Sequence, residues 1–294
     1  MTVDPSSLST QQVQAFLQSA VAPRPIALAS TINAAGEVNL SPFSFFNLFS
    51  ANPPIVIFSP ARRVTNGTTK HTLENVQEIP EVVINIVNYA MVEQMSLSST
   101  EYEKGVNEFI KSGLTPLPSE KIRPPRVAES PVALECSVEQ VIPLGDGPGA
   151  GNLVVAKVQL LHIQDTYLNP AGQLDTEKLD LVARMGANWY CRASGDALFE
   201  IPKPLTTKGI GVDQLPAPVR RSAVLTGNQL GRLGNLEKLP SPEALERAAE
   251  LPDVAAALRL EGDAQISALH QLAAKYLESG KAETALAIVF QSRY

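Results

Sequence analysis

Cysteine is nearly absent: the 294-residue chain holds two, Cys136 and Cys191. They lie far apart and outside any C-x-x-C spacing, which argues against a disulfide framework or a cysteine-based zinc site and fits a reducing compartment. Histidine is equally sparse, and His71, His162 and His270 are too widely separated to build a histidine-rich metal site, so no metal is expected. Basic charge is also short, because 24 Lys and Arg face 30 Asp and Glu for a net charge of −6. That balance disfavours a duplex-coating nucleic-acid module. No segment approaches the roughly 18 apolar residues that span a bilayer. The opening MTVDPSSLSTQQVQ has no basic stretch followed by an apolar one, so a cytoplasmic protein without a membrane segment is expected. Neither the Gly-Lys-Ser/Thr of a Walker loop nor the G-x-S-x-G elbow of a hydrolase occurs. GDGPGA (145–150) formally satisfies G-x-G-x-x-A, yet a strand rather than a helix follows it, and its glycines and Pro148 suit a hairpin connection.

What is present is material for a core. Hydrophobic residues make up 44% of the chain and charged residues 18%, the profile of a folded globular protein, and the length suggests roughly two units. Ser9 and Gln12 form a capping-box pair ahead of Val13, Phe16, Leu17 and Ala20, predicting a first helix that ends before Pro23. From Ile26 to Ile163 short β-branched or alternating runs recur between Pro, Gly and Asn turns. The runs extend from 26–31 to 153–163, and the clearest strands are 55–59, 82–87 and 133–141, with short helices over 72–79 and 89–98. Many strands and few helices make an α+β, mainly antiparallel, barrel-like unit. After about Pro204 the strand pattern ceases and helical spacing takes over, punctuated by Pro242, Pro252 and Gly280. The expected division is therefore a domain over 1–204 and a helical C-terminal extension over 205–294, a packed cap or dimerisation arm.

The most informative absence is local. Between Glu37 and Glu74 there is no carboxylate, although Arg62, Arg63 and Lys70 all fall there. ARRVTNGTTKHT offers two guanidinium groups, an ammonium, hydroxyls, a glycine and a helix start near Thr72, which suits a phosphate monoester and equally describes a solvated basic loop. The same window holds Phe43, Phe45, Phe46, Phe49 and Phe58, five of nine phenylalanines, interleaved with Ser41, Ser44, Asn47, Ser50 and Asn52. Apolar walls with a few polar groups describe a pocket for a flat aromatic ligand; ordinary core residues would look the same. Cys136 alternates with Leu134 and Val138 on an apolar face and reads as core, whereas Cys191, beside Trp189 and Tyr190, is open to either reading.

Taken in order, APRPIALAST, NLSPFSFFNLFSANPPIVIFSP, KHTLENVQEIPEVVINIV and VARMGANWYCR resemble the flavin reductase-like, FMN-binding split-barrel family over roughly residues 20–204. The resemblance implies a six-stranded Greek-key split barrel, a homodimer, and FMN held noncovalently in a groove near the subunit interface. It implies that Ser30, Thr31, Ser44, Phe45, Phe46 and Asn47 border the flavin ring and ribityl chain, and that Ser59, Arg62, Lys70 and Thr72 address its phosphate. Main-chain N–H groups near 44–47 would meet the polar edge of the ring. Arg184 and Tyr190 would stand near the flavin or simply finish the fold, and His71 replaces the Asp more usual in the family. The flavin carries the chemistry, so no catalytic side chain is expected. The implied activity is an NADH- or NADPH-dependent flavin reductase that passes electrons to free flavin, a partner oxygenase, iron or another acceptor. Two alternatives are direct reduction of an organic substrate, and a noncatalytic FMN carrier or sensor whose helical tail engages a protein partner.

Overall fold

Ser9 caps the first helix as its sequence demands. Its hydroxyl accepts from the Gln12 amide at 3.3 Å while the Gln12 side chain accepts from the Ser9 amide at 3.0 Å. In the computed structural model, which describes residues 1–201 and 204–292, this opens α1 (Thr10–Ala20), which stops at Val21 ahead of Pro23. The chain divides into two units, Met1–Phe199 and Glu200–Tyr294, where the sequence suggested 204/205.

The first unit is built from β1 (Ala27–Ile32), β2 (Val38–Phe43), β3 (Phe46–Ala51), β4 (Pro54–Phe58), α2 (His71–Glu78), β5 (Glu81–Ile86), α3 (Val92–Leu97) and α4 (Glu108–Ser112). There follow β6 (Pro116–Leu117), β7 (Arg126–Val127), β8 (Val132–Pro143), β9 (Asn152–Ile163), α5 (Thr176–Leu179), β10 (Val182–Arg184) and β11 (Tyr190–Arg192). Strands β6–β7 and β10–β11 form two small pairs beside the main sheet. That sheet has seven strands rather than six, in the order β2-β1-β5-β8-β9-β4-β3, and every pairing within it is antiparallel.

This order forces closure. The edge strands β2 and β3 are consecutive in the chain, joined only by Ser44 and Phe45. Three peptide steps span at most about 11 Å, so the sheet must wrap until its two edges nearly meet. They do not pair with each other, which leaves the barrel split at Ser44–Phe45. The Ser59 amide reaches the Phe45 carbonyl at 2.8 Å across the end of β4, and the Phe43 and Phe58 rings meet inside at 5.4 Å between centroids.

Strand β1 is buried on both faces. Ala27 and Ala29 face the barrel interior with Phe58, Val82, Ile84, Cys136 and Val154, whereas Leu28 joins Ile26, Leu40, Met91, Met95 and Phe109 in a second cluster under α3 and α4. Period-two alternation thus feeds two cores at once. Cys136 is fully buried, and burial pushes its thiol up to about 12, so it is a core residue rather than a nucleophile. GDGPGA is the turn of the β8–β9 hairpin, and β9 enters the barrel core directly after it at Asn152, Val154 and Ala156.

The second unit is helical among its described residues: α6 (Ala217–Arg220), α7 (Gly227–Gly234), α8 (Pro242–Ala249), α9 (Pro252–Ala257), α10 (Gly262–Glu278) and α11 (Ala282–Val289). Pro242 and Pro252 open their helices, and Gly280 takes φ +77° in the turn before α11. Leu233, Val254, Leu269, Ala273, Leu277 and Ile288 form a separate core. Among the described residues no helix is long and apolar enough to cross a membrane.

Candidate functional site

The split opens into a groove of about 330 Å³. One wall is Ser41, Pro42 and Phe43 from the end of β2 with Ser44 and Phe45 from the connecting turn; the other is Ser59 and the 61–65 loop, with Lys70, Ser99 and Glu101 across it and Gln14 and Gln18 of α1 at its side. The volume falls in the range of small-ligand pockets.

The loop after β4 is shaped by its own side chains. Asn66 accepts from the Thr68 amide at 3.1 Å and hydroxyl at 2.7 Å, and Gly67 takes φ +70°, so the chain turns back on itself. The main chain of Arg62 is clamped to the β8–β9 turn: its amide donates to the Ala150 carbonyl at 2.8 Å, and its carbonyl accepts from Gly149 at 3.3 Å. Its guanidinium donates from Nη1 to the Gly67 carbonyl at 3.1 Å, while Nε is buried without a partner. A buried donor left unmatched costs free energy unless something accepts from it. Arg63 lies alongside, donating from Nη1 to Thr68 Oγ1 at 2.8 Å and the Thr69 carbonyl at 2.5 Å. Arg62, Arg63 and Lys70 thus share the groove with a single carboxylate, Glu101, which Arg63 in the first place and Lys70 in the second hold below the usual carboxylate range. Three cations, serine hydroxyls and one orphaned N–H suit a phosphate.

Of the residues that the resemblance assigns to the cofactor, Ser44, Phe45, Ser59, Arg62 and Lys70 come together in this groove, with Ser41, Phe43 and Arg63 of the carboxylate-free stretch beside them. The other assigned residues do not line it. Ser30 and Thr31 are fully buried in β1, where the Thr31 hydroxyl accepts from Asn75 at 3.1 Å. Thr72 accepts from Asn39 at 2.8 Å, so both threonines dock α2 onto the barrel; Thr72 and His71 border a neighbouring cavity of about 20 Å³ that shares Arg63, Lys70 and Glu101 with the groove. Phe46 packs against the barrel core, and Asn47 is exposed, bonding the next amide, Leu48, at 2.8 Å. Both belong to the β3–β4 ladder rather than to the turn. Arg184 stacks on Tyr190 at 4.6 Å, and Tyr190 packs against the second core cluster, so this pair completes the fold. Cys191 lines a separate apolar depression with Met185 and Trp189.

Arg24 was not foreseen as part of this neighbourhood. It is 7% exposed, and its guanidinium is held by the carbonyls of Gln18, Val21 (2.6 Å) and Met185 (2.9 Å), with Nε 3.4 Å from Ser44 Oγ. Burial, then repulsion from Arg184, lowers its pKa. It ties α1 and the chain just after β10 to the turn that closes the barrel, and the only sequence signal for it was its place between Pro23 and Pro25.

Comparison with known proteins places this architecture. Residues 19–176 match the family model described as flavin reductase like domain. A protein of Halalkalibacterium halodurans is 40% identical over 192 residues, covering 65% of this chain and 91% of its own. Nitrilotriacetate monooxygenase component B from Bacillus cereus superposes with TM-score 0.64 at 28% identity, over 68% of this chain and 98% of its own. The 2-nitrobenzoate 2-nitroreductase of Pseudomonas fluorescens gives TM-score 0.59 at 25% identity, over 71% and 100%. A seven-stranded antiparallel barrel split beside a cationic groove, matched by the family model over more than half its length, makes this chain a member of the flavin reductase-like family, with a helical unit added at its C-terminus.

Proposed function

We propose that the protein binds FMN noncovalently in the groove at the barrel split and acts as an NADH- or NADPH-dependent flavin reductase. The observation that carries the phosphate assignment is the buried, unpartnered Nε of Arg62 among Arg63, Lys70 and Ser59. Arg62 and Arg63 would hold the phosphate, and Ser41, Ser44 and Phe45 would flank the rest of the cofactor. When bound, the flavin supplies the hydride and electron transfer. The chain's own work is binding and positioning. Arg62 is pre-aimed by its clamp to the β8–β9 turn, Ser59 is fixed by accepting from the Asn152 amide at 3.1 Å, and Ser44 is fixed beside the immobile Arg24 guanidinium. Such preorganisation lowers the ordering cost of binding.

Leu48 and Phe49 on the edge strand β3, with Phe16 and Leu17 on α1, are more than half exposed in the single chain. Apolar residues on a sheet edge and an unburied helix face support a homodimer. The likeness to a monooxygenase component supports delivery of electrons to a separate acceptor. The likeness to a nitroreductase supports a second reading, direct reduction of an organic substrate.

The test is the visible absorption spectrum of the purified protein after adding FMN and then NADH or NADPH without oxygen. A protein-bound flavin spectrum that bleaches with one nicotinamide is expected. A bound flavin that bleaches with neither rejects the reductase, and no flavin binding rejects the cofactor. Bleaching followed by reoxidation only with an added organic substrate would select the second reading.

A further inference from the structure

The groove already contains an anion of its own. Glu101 sits in the segment after α3, outside the carboxylate-free stretch that supplies the cations, and one of its oxygens accepts from both Arg63 Nε at 2.9 Å and Lys70 Nζ at 3.3 Å. A carboxylate oxygen bridging two of three cations takes the position that an oxygen of a bound phosphate would take. The two anions differ in what they satisfy. A phosphate monoester brings three terminal oxygens and a charge of about −1.5 to −2, enough for Arg62, Arg63 and Lys70 together. Glu101 brings one charge, reaches two of the three, and leaves Arg62 Nε unmatched. The Glu101 side chain is 59% exposed, against 15% for Arg63 and 29% for Lys70. It is therefore the mobile partner, in a pair of the solvent-screened kind that is easily exchanged.

We propose that Glu101 is an exchangeable internal counter-anion, competing with the ligand's phosphate for Arg63 and Lys70 and thereby setting how strongly the groove favours a phosphorylated over an unphosphorylated flavin. This rests on the reading of the groove as a phosphate site. In the ligand-free protein Glu101 keeps Arg63 and Lys70 paired, so the loop carries less uncompensated positive charge. A phosphorylated ligand must displace the carboxylate to be held by Arg63 and Lys70, which a dianionic monoester does, whereas a neutral ribityl chain makes no claim on those cations and leaves Glu101 in place. Part of the phosphate's binding free energy is then spent on displacing Glu101.

The experiment is a titration of wild-type protein, Glu101→Gln and Glu101→Asp with FMN and with riboflavin, alongside thermal melting of each. Removing one exposed competitor is expected to tighten FMN binding about three- to tenfold, with riboflavin affinity and melting temperature little changed. Glu101→Asp keeps the charge but is one methylene too short to bridge both cations, so it is expected to bind FMN nearly as tightly as Glu101→Gln. If Glu101→Asp instead behaves as wild type, a diffuse charge effect replaces the bridging contact and the proposal fails. If Glu101→Gln binds FMN equally or more weakly while the wild type prefers FMN to riboflavin, Glu101 is an anchor for its loop; the phosphate site stands and the proposal falls. A wild-type protein that does not distinguish FMN from riboflavin overturns both.

Discussion

The value of a charged side chain here depends on what surrounds it, and Arg62 and Lys70 differ on that point. Arg62 brings a buried donor with no partner, whereas Lys70 is partly exposed and already paired with Glu101. Arg62→Ala is expected to weaken FMN binding by roughly 1.5–3 kcal/mol, the worth of a charge-assisted hydrogen bond, and Lys70→Ala by less. A fluorescence titration decides, and equal small effects would contradict the assignment. His270 makes a different residue-scale prediction. It is buried in the helical unit, with Nδ1 2.9 Å from Ser222 Oγ and Nε2 3.4 Å from Ser292 Oγ, and burial lowers its pKa from the ordinary 6.5. Below 6.5 the unfolded chain takes up the proton more readily than the folded one, so stability is full above that pH and is lost as pH falls through the lowered folded value. The helical unit should melt at lower temperature at about pH 5.5 than at about pH 7.5, and His270→Gln should flatten that difference. At this scale the sequence exposed Arg62, Lys70 and Ser59 through the missing carboxylates around them. Thr31 and Thr72, which the resemblance assigns to the cofactor, bond Asn75 and Asn39 in the folded chain, and a threonine that docks a helix and one that faces a ligand look alike until the helix is in place.

Elements were legible where one face alternates. β4, β5, β8 and β9 fall within a few residues of the expected runs, and α1 and α2 follow their start signals. β2 and β3 were hidden in SPFSFFNLFS, where Phe and Leu occupy both faces because β3 leaves Leu48 and Phe49 exposed in the single chain. The hairpin turn GDGPGA was recognised as a turn; its use was not. It carries the main-chain partners of Arg62, and Gly151 packs so closely that an added Cβ would lie 2.8 Å from Ser59 Oγ. Gly151→Ala must therefore displace the Ser59 hydroxyl from its bond to Asn152. One such hydrogen bond is worth about 0.5–1.5 kcal/mol, so a several-fold loss of FMN affinity is expected with little change in melting temperature. A fall in melting temperature without loss of affinity would show that Gly151 serves packing alone.

At the scale of the molecule the two units have separate cores: the barrel carries two clusters of its own and the helical unit a third. The family model matches residues 19–176, all of them within the first unit. A chain ending at Phe199 is therefore expected to fold cooperatively, bind FMN as the full chain does, and run as two copies in light scattering. Loss of folding would make the helices part of the barrel's stability, and loss of the dimer alone would make them the dimerisation arm.

The sequence by itself determined the class of the elements with a clear side-chain period, the presence of a helical addition, and a stretch from which negative charge is missing. These are local properties, set by side-chain period, capping and composition within a few residues. Which cations converge was decided only by tertiary structure. The sheet order brings β2 and β3 together at Ser44–Phe45, the β8–β9 turn holds Arg62, and a segment some thirty residues beyond Lys70 returns Glu101 to the same groove. A groove on a closed sheet is made of residues distant along the chain, so its charge balance belongs to the closure and not to any one segment.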